Sequence, residues 1–115
     1  MMNRQHSFEI EKVTESDRNL LILKGELDLS KAAELRAAAD PFVAETERRL
    51  VLNLKELGYI DSTGIGVILS LLKARHVLKA PMAVEDIPPK IQRLFDMTGL
   101  TPFIQETSIN VNQKG

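Results

Sequence analysis

The sequence predicts an α/β domain: a mixed, mainly parallel β-sheet of four to five strands covered by α-helices, with an N-terminal hairpin at one side. Three observations carry this. After residue 25, apolar runs of strand length alternate with segments of helical period, as parallel strands joined by crossover helices require. Before it, two shorter runs flank turn residues, as in a hairpin. Leu50-Val51-Leu52-Asn53-Leu54 is almost wholly apolar, the pattern of a strand covered on both faces.

Taken in order, Phe8-Glu9-Ile10-Glu11-Lys12-Val13 alternates apolar and charged residues, which predicts a strand with one wet face near a sheet edge. Glu15 to Asn19 is turn chemistry, and Leu20-Leu21-Ile22-Leu23 reads as its more buried partner. Gly25-Glu26-Leu27-Asp28 closes that strand, and Ser30 is the expected N-cap of a helix containing Ala32, Ala33, Leu35 and Ala37 to Ala39. Pro41 interrupts the helical pattern. Either the helix kinks there, or Asp40 caps a second piece with Pro41 at its first position. The strand at Leu50 follows, and Lys55-Glu56-Leu57-Gly58 reads as a connection.

The next helix is expected from Thr63 to about Leu78, with either Asp61 or Ser62 as its cap. At 100° per residue, Ile65, Leu69 and Leu72 fall on one side and Val67, Leu71, Ala74 and Leu78 on nearly the opposite one. One side can face the sheet, and the other must meet a neighbouring helix or a partner. Pro81 to Val84 reads as a short strand. Pro88-Pro89 opens a third helix with Ile91, Leu94 and Phe95 on one face and Gly99 at its C′ position. Phe95 and Met97 are expected in the core, and Thr101-Pro102-Phe103-Ile104 as a last short strand.

The chain has 115 residues, enough for one domain with a single core. Its 43% apolar and 27% charged content is that of an ordinary soluble protein, and a net charge of -1 offers neither nucleic acid nor an anionic membrane a basic surface. Without cysteine there is no disulfide framework and no thiolate metal site, which fits a cytoplasmic location. No run approaches the roughly 20 apolar residues that span a bilayer.

Function is expected at Tyr59-Ile60-Asp61-Ser62-Thr63-Gly64-Ile65-Gly66, where small polar residues join an apolar strand to an apolar helix. Free N–H groups and the helix dipole favour negative charge there, so hydroxyls at this point suit a phosphate. Gly64 and Gly66 leave the first turn without bulk, so that a partner's backbone or a nucleotide has room. Other chemistries lack support. A nucleophilic Ser62 would need the glycine of a G-x-S-x-G elbow where Ile60 stands, and a base, for which only His6 and His76 are present. No G-x-x-x-x-G-K-[ST] phosphate loop occurs, and no cluster of residues spaced as metal ligands.

Three segments occur in a recognisable order: Gly25-Glu26-Leu27-Asp28; Leu50 to Gly66 with its Asp61-Ser62-Thr63-Gly64-Ile65-Gly66 centre; and Arg93-Leu94-Phe95-Asp96-Met97-Thr98-Gly99-Leu100. With these, the chain resembles bacterial anti-sigma factor antagonists of the STAS-domain family over residues 8–104, read as a STAS domain flanked by weakly ordered termini at 1–7 and 105–115. Pro88-Pro89 departs from the serine that many relatives place before the third helix.

The resemblance implies a STAS fold and a non-enzymatic partner switch needing no cofactor or metal. Unphosphorylated, such a protein binds an anti-sigma factor that is also a serine kinase and so frees a sigma factor. Phosphorylated at the serine after the motif aspartate, here Ser62, it lets go until a PP2C-type phosphatase restores it. Thr63 is the secondary acceptor. Asp28, Asp61, Ser62, Thr63, Gly64, Ile65 and Gly66 are the expected partner-binding residues, although Ile65 and Leu69 also suit the core and Asp28 the turn before the first helix. Alternatives are a STAS subunit of another regulatory or transport complex, and a nucleotide-binding module.

Overall fold

A computed structural model of the chain describes residues 7–102 and 104. The two N-terminal runs pair antiparallel as β1 (Phe8–Thr14) and β2 (Arg18–Leu27), turned by a bond from the Glu15 amide to the Arg18 carbonyl. Then come α1 (Leu29–Ala44), β3 (Arg49–Ile60), α2 (Ser62–Val77), β4 (Met82–Glu85) and α3 (Pro89–Met97). The strands lie in the order β1-β2-β3-β4, with β2, β3 and β4 parallel. This is the expected mixed α/β sheet with four strands.

The core forms where the inward residues of these strands meet the helices. Leu21, Leu23, Leu50, Leu52 and Met82 pack with Leu35, Ile68, Leu72 and Phe95. On the other sheet face a smaller cluster joins Leu20, Val51 and Ala83. Alternation puts Val51 behind Leu50 and Leu52, so both faces of β3 are apolar here.

β3 is longer than its sequence suggests. Lys55 to Gly58 continues the strand instead of connecting it, because irregular pairing with β2 near Lys24 to Glu26 breaks the alternation. Beyond Leu54 the buried positions become Leu57 and Ile60, a spacing that hides a strand from a period-two reading. Gly25 sits at this irregularity with φ +97, and a Cβ there would meet the Ser7 carbonyl oxygen.

α1 starts two residues earlier than expected. Asp28, not Ser30, is its N-cap, and Ser30 is held by the cap. The helix runs on through Pro41 to Ala44, so no second piece begins at Asp40. Pro41 falls near the helix end, where the one lost amide bond disturbs little that follows. α2 begins at Ser62 and buries Gly64, Ile65, Val67, Ile68, Leu71, Leu72 and Arg75, touching α1, β3 and β4. α3 has Pro88 as N-cap without a side-chain hydrogen bond.

α2 and α3 end alike. Gly99, at φ +79, donates to Asp96 while Leu100 donates to Phe95, and Lys79, at φ +58, donates to His76 while Ala80 donates to Arg75. Met97 is 73% exposed instead of buried, because Ile91 and Phe95 take the inward face of α3. Thr101, Pro102 and Ile104 are helical, so the expected last strand is not formed; Leu100 and Ile104 are buried through a helical turn, with the Ile104 amide bonded to the Leu100 carbonyl. His6 and the segment 105–115 lie outside the described residues. No helix among the described residues is long and apolar enough to cross a membrane.

Among the described residues Arg75 is the one fully enclosed cation. Its Nη1 donates to the carbonyls of Phe42 (3.1 Å), Val43 (3.1 Å) and Glu45 (2.9 Å), and its Nη2 to those of Arg48 and Pro81 (both 2.9 Å). Phe42 and Val43 belong to the last turn of α1, whose carbonyls have no partner within the helix. Burial lowers the Arg75 pKa and the Glu45 charge partly opposes this, but a guanidinium stays protonated. Arg75→Met should therefore lower the unfolding free energy by about 3 kcal/mol or more, because enclosed carbonyls lose their donors. Lysine, lacking the planar fork, should recover only part. Urea denaturation reads both, and a loss below about 1 kcal/mol would contradict this role.

Candidate functional site

The parallel ends of β2 and β3, at Leu27 and Ile60, bring two helix starts side by side. The Asp61 amide donates to the Leu27 carbonyl at 3.2 Å, fixing the two chain crossings together. Asp61, rather than Ser62, is then the N-cap of α2, with Oδ1 accepting from the Gly64 amide at 3.0 Å. Its Oδ2 accepts from the Leu29 amide of α1 at 3.1 Å. One carboxylate thus serves the exposed N–H groups of two helices.

Asp28 caps α1 in the same way. Its Oδ1 accepts from the Ser30 amide at 3.0 Å and from Ser30 Oγ at 2.7 Å. The Ser30 hydroxyl is the main reason that the Asp28 carboxyl lies below its usual range; partial burial opposes the shift and the Lys31 charge assists it.

Ser62 follows as the first residue of α2 and is exposed. Thr63, next to it, is half-buried. The glycines divide. Gly64 does not give another molecule access: a Cβ there would stand 2.8 Å from Leu27 Cγ and Ile60 Cγ1, so its missing side chain lets α2 settle on the strand ends. Gly66 is exposed, and a Cβ there would meet nothing within 4 Å. Ile65 is buried in the core while one edge lines a surface groove, and Leu69 is half-buried beside it.

Two depressions flank Ser62. A hollow of about 780 Å³ is lined by Glu26, Asp28, Leu29, Ser30, Tyr59 and Asp61. Leu29 is 72% exposed and Tyr59 49%, so apolar surface stands among three carboxylates. On the other side, a groove of about 390 Å³ is lined by Ser62, Ile65, Gly66, Leu69, Thr98, Gly99 and Leu100.

Sequence reasoning missed Leu29 and Glu26 as site residues, held Tyr59 only as the first residue of the expected functional stretch, and did not bring Thr98 to Leu100 next to Ser62. An apolar residue directly after a capping aspartate was the available signal for Leu29. Nothing in the spacing joins the segment after α3 to the start of α2, which only the shared groove establishes. Among the described residues no group of three histidine, cysteine, aspartate or glutamate side chains is placed to hold a metal ion. His76 is exposed near the far end of α2 and belongs to neither depression.

Asp61→Ala removes an acceptor from two helix starts and should lower stability by about 1–2 kcal/mol, with Asp61→Asn losing less; unchanged denaturation midpoints would refute the shared cap. For Asp28 the folded pKa is depressed, so its contribution is present above the unfolded value and is lost as pH falls through the folded one. An NMR titration should place the Asp28 carboxyl below a free aspartate at about 3.9, and Ser30→Ala should move it upward.

The STAS domain family model matches residues 9–113. An anti-sigma F factor antagonist of Paenibacillus polymyxa is 39% identical over 89 residues, covering 75% of this chain and 76% of that protein. An anti-sigma-B factor antagonist of Staphylococcus epidermidis is 33% identical over 82% of this chain and 87% of its own length. Among solved structures, SpoIIAA in its unphosphorylated form has the same fold, with a TM-score of 0.69, 21% identity and 84% of each chain covered. The phosphorylated form of SpoIIAA from Bacillus gives a TM-score of 0.65 at 21% identity, covering 84% of this chain and 87% of that one. In sequence over most of its length, and in fold, the chain belongs to the STAS domain family, as a regulatory binding protein and not an enzyme.

Proposed function

We propose that the protein is an anti-sigma factor antagonist switched by phosphorylation of Ser62. Unmodified, it binds a cytoplasmic anti-sigma factor that is also a serine kinase and so releases a sigma factor. The kinase then transfers the γ-phosphoryl group of ATP to Ser62 Oγ: the new P–O bond forms as the bond to the β-phosphate breaks, ADP leaves, and the hydroxyl proton passes to a base of the kinase. Thr63 is the secondary acceptor of that transfer, and a PP2C-type phosphatase restores the hydroxyl by hydrolysis, water taking the phosphoryl group as inorganic phosphate.

The observation that carries the reading is the exposed hydroxyl of Ser62 at the first position of α2, between two depressions. The names of the Paenibacillus and Staphylococcus relatives support the antagonist role, and the two forms of SpoIIAA support a phosphorylation cycle in this fold.

Physical chemistry says why such a switch would work without refolding. A phosphate brings about -1.5 to -2 charge and three strong acceptor oxygens. At a helix start that charge is favoured by about 0.3–1 kcal/mol, so the scaffold tolerates it. At an interface the dianion stands beside Asp61, must lose its hydration and fills space. Facing like charges cost several kcal/mol, and about 1.4 kcal/mol already changes an affinity tenfold.

Ser62→Ala should bind the kinase as the wild type does and take up no phosphate. Ser62→Asp should weaken binding only partly, since a carboxylate has less charge and bulk than a phosphate. Purified anti-sigma serine kinases of the same organism, each with ATP, supply the assay, with phosphate located by mass spectrometry. Stoichiometric phosphate on Ser62→Ala would assign the acceptor elsewhere, and undiminished affinity of Ser62→Asp would remove the electrostatic account.

A further inference from the structure

Among the described residues five large apolar side chains are left exposed, and four of them form two pairs at opposite ends of α2. Leu29 and Tyr59 line the hollow beside the start of the helix, whereas Val77, 77% exposed, and Leu78, 48% exposed, stand at its end. Sixteen residues at 1.5 Å each put the two pairs about 24 Å apart. The helix packs inward through Ile68, Leu71, Leu72 and Arg75, and burial in the core accounts for neither Val77 nor Leu78.

The pairs differ in the charge around them. Glu26, Asp28 and Asp61 line the hollow, and about half a positive charge at each of two helix starts, with Lys31 near Asp28, offsets only part of their negative charge. Lys73, one helical turn before Val77, and Lys79, just after Leu78, are exposed and form no ion pair among the described residues. Against these two cations stands only about half a negative charge at the end of α2. One end of the molecule is thus apolar within a negative surround, and the other apolar within a positive one.

We infer that these ends bind one another between copies of the chain: Val77 and Leu78 of one copy enter the hollow of a second, with Lys73 and Lys79 set against its carboxylates. A symmetric pairing is disfavoured, because hollow on hollow would face carboxylates with carboxylates, and end on end lysines with lysines. The contact is therefore head-to-tail, and a growing assembly always keeps one hollow and one helix end free. A seated copy stands beside Ser62, so self-association and any other partner of that face exclude each other. The contact holds whether or not Ser62 is a kinase substrate.

Sedimentation equilibrium of the purified protein from about 10 μM to 1 mM, the range of a weak reversible contact, should show the average mass rising to about twice the monomer's or more. About 1 M salt, which screens charges beyond about 3 Å, should reduce that rise. Leu29→Lys blocks the hollow, and Val77→Ser with Leu78→Ser strips the helix end, so each variant alone should stay monomeric. Mixed in equal amounts they should form a dimer that grows no further, since one retains an intact helix end and the other an intact hollow. Met97→Ser, which removes the fifth exposed apolar side chain, should associate as the wild type does. Three results would each overturn the head-to-tail contact: a wild type monomeric throughout, a rise indifferent to salt, or two variants with native circular dichroism that remain monomeric when mixed.

Discussion

A guanidinium shut away from water must be given acceptors by the protein, and Arg75 receives five, all of them backbone carbonyls. They come from the end of α1, the approach to β3 and the approach to β4. Side-chain carboxylates would have satisfied the charge equally well, but carbonyls do something more specific. They tie the ends of separate elements to one side chain on α2 and use acceptors that a helix terminus would otherwise leave bare. Neighbouring polar contacts reinforce this corner: Asn19 receives from Thr14 and donates to Glu45, which also accepts from Arg48.

With one end of α2 fixed in this way, its other end can carry small and polar residues. There the Asp61 carboxylate spans two helix starts, Gly64 lets α2 drop onto Leu27 and Ile60, and Ser62 is left outward. The arrangement joins rigidity of the backbone to exposure of the hydroxyl. In the proposed switch, a rigid acceptor would present one geometry to the kinase, so little ordering of the chain would be lost from the binding free energy. Around Ser62 lie acidic residues with Leu29 and Tyr59 on one side and, among the described residues, a groove without charged side chains on the other.

Much of this was legible in the sequence because the signals are local. The hairpin, the apolar strand at Leu50, the cap ahead of α2 and the glycine ending α3 each depend on neighbours within a few residues. What escaped depends on contacts distant in sequence. β3 continues past Leu54 because β2 lies beside it and absorbs the irregularity, which turns Leu57 and Ile60 inward. Gly64 and Gly66 look alike in the chain, and only the position of Leu27 separates a packing requirement from an open site. Ser30 and Asp28 are both good caps, and the choice fell to the residue whose carboxylate can bind both the amide and the hydroxyl of the other. Met97 is apolar yet faces outward, because Ile91 and Phe95 already fill the inward face of α3.

The placement of Arg75 and Ser62 near opposite ends of one sixteen-residue helix has a genetic consequence. Lesions around the buried arginine would act through the quantity of folded protein, so they would be temperature-dependent and relieved by raising expression. Lesions confined to the Ser62 hydroxyl would leave abundance normal and resist that rescue. Mutants collected without structural knowledge should thus sort into two groups by dosage, and the boundary between the groups should lie within α2.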